Sequence, residues 1–256
     1  MKNVKIISLL LAAVMLLGLF AGCGAEAPEA QAPAEKKLIV ATHATFPPYE
    51  FYKDGQIVGI DIDIMKAICD KIGYDMEVVD MEFGSIITAV ATGKADVGAA
   101  GITKTEDRAK SVNFTASYAT GIQSVIVKDG GKVASLEDLK GADIKIGVQQ
   151  DTTGDIYATG DFGEDHMLRF NKGADAVQAL VSGKCDAVII DNGPAKVFVD
   201  TNEGLSLLDT AYTEEEYSYE ISYDNQEVYD LVNGALEEML ADGSIQKIID
   251  TYISAE

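Results

Sequence analysis

From Lys37 onward the chain alternates short apolar runs with stretches of helical period. Leu38-Ile39-Val40-Ala41 reads as a buried strand. After Gly59 and Asp61, residues Ile64, Ala67, Ile68 and Ile72 recur at three- and four-residue steps, the stripe of an amphipathic helix. Gly73 follows as its C-cap. Met76-Glu77-Val78-Val79 predicts a second strand, residues 86–92 a second helix ending at Gly93, and Val97-Gly98-Ala99-Ala100 a third strand. A new strand opens over residues 144–148, alternation continues to Ile190, and residues 226–252 are rich in helical period. Such alternation implies an α/β fold with mainly parallel sheets.

One segment echoes another. Ala89-Val90-Ala91-Thr92-Gly93-Lys94-Ala95-Asp96 is answered by Ala179-Leu180-Val181-Ser182-Gly183-Lys184-Cys185-Asp186. Each copy reads as a helix end, a glycine cap, a lysine at the turn and a small apolar strand. The first strand runs into Gly101-Ile102-Thr103 and the second into Asp191-Asn192, so each unit delivers polar groups at the carboxyl end of a strand. Ligands of open α/β sheets bind outside those ends, and two such units facing each other make a cleft. A chance repeat of a common helix–turn–strand idiom is the plain alternative.

Before Lys37 the pattern changes. Lys2 and Lys5 flank the start of an apolar run over residues 6–21, short of the roughly 20 unbroken apolar residues a membrane span needs. Positive residues, a short apolar run and then small residues describe a secretory signal peptide, here residues 1–22. Ala21-Gly22-Cys23 resembles the lipobox of bacterial lipoproteins, in which the cysteine is lipidated, although Phe20 stands where leucine is usual. An uncleaved anchor is the alternative; either way the body lies outside the cytoplasm, on the outer face of the membrane. With Cys23, residues 24–36 (GAEAPEAQAPAEK) form a tether with no apolar periodicity and too little apolar surface to offset the entropy of ordering.

The formal charge of −22 becomes −24 when Lys2 and Lys5 are removed with the segment before Cys23. Such a surface repels nucleic acid and offers no basic stripe for phosphates. Cys69, on the apolar side of a helix, and Cys185, before an apolar strand, read as small buried hydrophobes, with a disulfide between them left open. With two histidines and no Cys/His cluster, neither a zinc site nor a cofactor is expected.

Val40 to Phe51 (VATHATFPPYEF), GIDIDI, Met81-Glu82-Phe83, AGITKTEDR, Asn113-Phe114-Thr115, GVQQDTTGDIYA, KCDAVIID and LVNGALEEMLADGSIQKIIDTYI occur in that order. Together they resemble the amino-acid-binding solute receptors of ABC importers, extracellular solute-binding protein family 3. The resemblance covers the chain from Lys37 and implies a two-lobed periplasmic-binding-protein-like fold, each lobe a mainly parallel sheet flanked by helices. Two hinge strands would join residues 37–118 plus 217–256 to residues 119–216. It further implies a monomer that holds a free L-amino acid, closes by a hinge motion and meets a membrane permease.

An amino acid's carboxylate wants a bidentate cation and N–H donors, and its ammonium wants acceptors. Read alone, Arg108 beside Glu106 and Asp107 is an exposed ion pair; the resemblance makes it the carboxylate clamp. Thr153 precedes a helix expected from about Asp155, where free N–H groups favour an anion, and is equally a plain N-cap. By resemblance Thr153 closes on the carboxylate; Asp191, the Gly101 carbonyl and the Thr103 hydroxyl receive the ammonium; and Phe46 and Phe83 sandwich the side chain. As a turn residue Asp191 would be unremarkable, and the two aromatics alone would more often be core. His43 and Gln149 fall where relatives vary with substrate, and Glu50 or Glu82 would add negative charge. These point to a polar ligand, glutamine or a basic amino acid such as arginine or lysine. Dehydratases and peptidoglycan lyases share the implied fold, and a ligand-sensing module is a further reading. His43 and Glu50 are the only evident bases, and no nucleophile–histidine–acid arrangement is legible, so the expectation is binding without turnover.

Overall fold

The computed structural model describes residues 36–253. The expected signal segment, Cys23 and all but the last residue of the tether lie outside them. In the first lobe, β1 (Lys37–Thr42) leads through the hairpin strands β2 (Thr45–Phe46), β3 (Glu50–Lys53) and β4 (Gln56–Val58) into helix α1 (Ile60–Ile72). Then come β5 (Asp75–Asp80), α2 (Phe83–Ala91), β6 (Val97–Gly98) and β7 (Asn113–Phe114). The second lobe runs through β8 (Ala119–Lys128), β9 (Ile146–Gln149), α3 (Thr153–Phe162), β10 (Met167–Phe170), α4 (Gly173–Val181), β11 (Ala187–Asp191), α5 (Asn192–Thr201) and β12 (Leu205–Leu207). β13 (Thr213–Tyr217) returns to the first lobe, which β14 (Glu220–Ile221), α6 (Gln226–Ala241) and α7 (Ser244–Tyr252) complete.

The fold is two-lobed α/β, with sheets that are mixed where alternation alone suggested mainly parallel ones. The first has the order β5-β1-β6-β14-β7, with β1 parallel to β5 and β6 and β14 antiparallel to both of its neighbours. The second has the order β10-β9-β11-β8-β12, with β9 parallel to β10 and β11, and β8 antiparallel to β11, β12 and β13. The antiparallel members are the segments entering or leaving each lobe at the crossings. A run of apolar residues reports burial, not strand direction.

Both faces of each sheet are covered. Leu38 and Val40 pack with Ile64 and Ile68 of α1 and Val232 and Leu236 of α6, while Ala41 joins Ile86 and Val90 of α2 on the opposite face. In the second sheet Ile189 packs with Val125, Ile146 and Val148, and its neighbours Val188 and Ile190 pack the other way, against Val177 and Leu180. Helix α2 begins at Phe83 rather than Ile86, because its first turn carries small, polar Gly84 and Ser85 that an apolar stripe does not mark. Helix α3 begins at Thr153 rather than Asp155, because the Thr152 side chain accepts the Asp155 N–H at 3.3 Å and is the N-cap. Cys69 and Cys185 are buried free thiols in different lobes.

The sequence echo is a structural repeat. The Lys94 and Lys184 N–H groups bond the Ala89 and Ala179 carbonyls, each at 2.8 Å. The carboxylates that follow do the same job in each lobe: Asp96 accepts the Ile39 N–H at 2.8 Å and Asp186 the Lys145 N–H at 2.9 Å. Each unit thereby ties the start of its central parallel strand to the neighbouring one.

The crossings pair with one another, β8 residues 119–123 lying antiparallel to β13 residues 213–217. Gly121 stands opposite Glu215, and the fully buried Tyr217 ring lies over it. A Cβ on Gly121 would sit 2.5 Å from Tyr217 Cζ. We therefore expect Gly121→Ala to destabilise the protein by roughly 1–3 kcal/mol, the overpacking cost exceeding the ~0.4–1 kcal/mol that replacing glycine gains in the unfolded chain. Urea denaturation reads the difference, and an unchanged midpoint would mean the ring yields freely.

Candidate functional site

A partly enclosed cavity lies between the lobes, lined by residues of both. The first lobe presents His43 from the loop after β1, Phe46 at the end of β2, Phe83 at the start of α2, Gly101 and Thr103 after β6, and Arg108. The second presents Gln149 at the end of β9, Thr153 at the start of α3 and Asp191 at the end of β11. All nine residues singled out from sequence thus line one cavity. His43, Gly101, Gln149 and Asp191 follow or end parallel strands, as ligand-binding groups of open sheets do. Glu50 lines it too, whereas Glu82 is exposed at the residue before α2 and does not line it.

Buried acids hold this wall in place. Gly101 has φ +53°, and a Cβ there would lie 3.2 Å from Phe46 Cε1, so glycine answers both conformation and space. Its N–H donates to Asp61 Oδ2 at 2.7 Å, and the Tyr118 hydroxyl donates to Asp61 Oδ1 at 2.7 Å. Burial pushes the Asp61 carboxyl up to about 7, and these two donors pull it back down. Asp191 caps α5 by accepting the Gly193 N–H at 2.9 Å and ties the crossing strand through the Ile122 N–H at 2.8 Å. Burial pushes it up to about 6, against the Tyr217 hydroxyl and those two N–H groups.

Arg108 spans the cleft. Its Nη1 donates to the Thr103 carbonyl at 2.8 Å and its Nη2 to the Asp151 carbonyl of the second lobe at 3.0 Å. A guanidinium has five N–H donors, so three remain for a ligand. The Phe83 ring lies 5.3 Å from Arg108 Cζ, a cation–π distance.

Several other groups facing the cavity present acceptors. His43 Nδ1 bonds the Met81 carbonyl at 2.8 Å; a carbonyl only accepts, so in the neutral ring Nδ1 carries the proton and Nε2 is a bare lone pair. That Nε2, Gln149 Oε1, Gln123 Oε1 and both Glu50 carboxyl oxygens are buried with no partner among the described residues. Glu50 is 1% exposed, and burial, with Asp61 and Asp191 nearby, holds its carboxyl well above the usual range. Among the described residues no group of His, Cys, Asp and Glu is placed to hold a metal ion.

Residues 38–255 match the family of bacterial extracellular solute-binding proteins, family 3. The chain belongs to this family. It is 32% identical to the arginine-binding extracellular protein ArtP of Bacillus subtilis (strain 168), over 97% of this chain and 98% of ArtP. An ancestral arginine-binding protein has been solved with glutamine bound (TM-score 0.80) and with arginine bound (TM-score 0.79). Both of those chains are 38% identical to this one, covering 86% of it and 99% of their own length.

In this solute-binding protein several cavity-building residues escaped sequence reading: Asp61, Gln123, Glu215 and Tyr217. Asp61 read only as a residue before a helix. Glu215 stands in Thr213-Glu214-Glu215-Glu216-Tyr217, which reads as a solvated acidic run. The usable signal was period two, since Glu214 and Glu216 are exposed while Glu215 and Tyr217 are buried.

The raised carboxyls of the receptor fix a pH dependence. Burial raises Asp61 and Asp191 from the ordinary carboxyl value of 3.8 to about 7 and about 6, and Glu220 of β14, desolvated beside Arg108, rises from 4.5 to about 7. Between those limits the folded state binds more protons than the unfolded one, so stability falls as pH rises from about 4 to 7. Protein refolded to strip bound solute should therefore melt higher near about pH 5.5 than near about pH 8, with a weaker dependence in Asp61→Asn. A melting temperature that rises over this interval would contradict the assignment.

Proposed function

We propose that this receptor selects L-arginine, or another amino acid with a cationic, donor-rich side chain, over glutamine. As a member of its family the chain is an extracytoplasmic substrate-binding component of an ABC importer, taking up a polar L-amino acid and meeting a membrane permease. It binds without turnover. The observation that carries the finer reading is Glu50: two buried carboxyl oxygens without a donor among the described residues, sharing a cavity with bare His43 Nε2 and Gln149 Oε1. A guanidinium supplies five N–H donors and a positive charge, whereas a glutamine amide supplies two donors and an acceptor of its own. The relative named for arginine and the ancestral protein holding arginine support this, and the glutamine complex of the same ancestral protein keeps glutamine as the second reading.

In this reading Arg108 takes the ligand carboxylate with its remaining N–H groups, joined by Thr153 from the second lobe. Asp191, the Gly101 carbonyl and Thr103 receive the ammonium, Phe46 and Phe83 flank the side chain, and Glu50, His43 and Gln149 read its end. Residues 37–118 plus 217–256 and residues 119–216 move as the two bodies of a hinge closure. Cys23 carries the lipid that tethers the receptor to the outer face of the membrane. A Cys23→Ser chain should then appear in the medium instead of the membrane fraction, and continued membrane retention would remove the anchor assignment.

Titration calorimetry tests the ligand. Arginine should bind more tightly than glutamine, and Glu50→Gln should weaken arginine by roughly ten- to a hundredfold, about 1.4–2.8 kcal/mol, with little change for glutamine. An unaltered arginine-to-glutamine ratio in Glu50→Gln would show that this carboxylate does not read the side chain. Arg108→Ala should cost every amino acid about 2–5 kcal/mol, because the ligand carboxylate is then desolvated without its cation.

A further inference from the structure

Behind the cavity wall, on the hinge strand β13, Glu215 is 6% exposed. Its Oε2 receives three donors: Thr153 Oγ1 at 2.9 Å, Gln123 Nε2 at 3.0 Å and Thr103 Oγ1 at 3.1 Å. The three donors come from both sides of the cleft, Thr103 from the first lobe, Thr153 from the second and Gln123 from the crossing strand β8. All three line the cavity.

A hydroxyl has one proton to give. Thr103 and Thr153 give theirs to Glu215, so toward the cavity each offers only lone pairs. Gln123 turns its NH₂ to the same oxygen, which leaves its Oε1, buried and without a partner among the described residues, as the other end of the amide. One carboxylate therefore makes acceptors of three residues that could each have given or taken a hydrogen bond. A neutral amide in its place would release this choice, since an NH₂ facing the hydroxyls lets them turn and donate to the ligand.

We propose that Glu215 is a positioning residue that fixes the hydrogen-bond polarity of the pocket around the ligand's α-amino group. By committing Thr103, Thr153 and Gln123 as acceptors, it makes the receptor demand an ammonium between the lobes and discriminate against carboxylic acids that lack one. The consequence for Thr153 is specific. Its hydroxyl faces an ammonium or nothing, and its contribution to the ligand carboxylate is confined to its backbone N–H in the first turn of α3. The inference rests on the amino-acid-receptor reading, but not on which side chain is preferred.

The test compares L-arginine with 5-guanidinopentanoate, which keeps guanidinium and carboxylate and lacks the amino group, by titration calorimetry on the full chain and its variants. The unmodified protein should favour arginine by a hundredfold or more, on the order of two such charge-assisted bonds. Glu215→Gln should narrow that ratio by roughly tenfold or more while leaving the arginine-to-glutamine ratio unchanged. Equal weakening of both ligands, or an unchanged ratio, would overturn the proposal, because a merely structural role lowers both alike. Should Glu215→Gln fail to fold, Thr153→Val keeps the backbone N–H and removes the hydroxyl; it should weaken arginine selectively, and weakening of 5-guanidinopentanoate to the same extent would overturn the proposal. If arginine does not bind, the preference for a cationic side chain fails separately, and the same comparison is made with L-glutamine and glutaramate.

Discussion

The pairing of the two crossing segments governs the rest of this molecule. Residues 119–123 and 213–217 connect the lobes, and by lying antiparallel they bring Gln123 and Glu215 to the base of the cleft and set the Tyr217 ring over Gly121. Asp191 is drawn into the same seam through the Ile122 N–H and the Tyr217 hydroxyl. The base of the cavity is thus built from the segments that would bend in the proposed hinge closure. Any change in hinge angle alters the donors and acceptors that a ligand meets, and a ligand that satisfies them favours one angle.

Burial divides the acids around the cleft into two kinds. Asp61 has the Gly101 N–H and the Tyr118 hydroxyl, and Asp191 has two N–H groups and a hydroxyl, so their desolvation is offset inside the protein. Glu50 has no such donors among the described residues and stands near both of those acids. An ionised carboxylate in that position is costly unless a cation or several N–H groups meet it. The first kind builds the site; the second is left without a donor among the described residues. The large net negative charge is a separate matter: it favours cations at long range without deciding which one fits.

Much of this was legible in the sequence, because strand ends and glycine-capped helix ends are written in local residue types. Gly93-Lys94 and Gly183-Lys184 marked two equivalent turns, and the polar groups after each following strand, Gly101 with Thr103 and Asp191, line the cavity. Strand direction was not legible, since an apolar run is the same whichever way its neighbour points. The starts of α2 and α3 escape the apolar pattern because their first turns hold small and polar residues. Glu215 was hidden by its exposed neighbours Glu214 and Glu216, and only its pairing with Gly121 turns it inward. Asp61 lies within a helix whose apolar stripe gives no hint that a carboxylate on the same element reaches the backbone of a loop forty residues on.

Arg108 shows why ligand and closure belong together. Its two hydrogen bonds go to the carbonyls of Thr103 and Asp151, one in each lobe, so the guanidinium plane is fully fixed only when the lobes are together. Asp151 presents its carbonyl from a left-handed backbone conformation, φ +65°, which aspartate tolerates better than most residues. A hydrogen bond from a charged donor contributes about 1.5–3 kcal/mol, so this contact alone holds the lobes only weakly. A carboxylate on the remaining N–H groups of the same guanidinium adds to it only in the arrangement where the plane is already oriented. If Arg108 takes the ligand carboxylate as proposed, the ligand binds one arrangement of the lobes better than others, and that difference in affinity would shift the population toward closure.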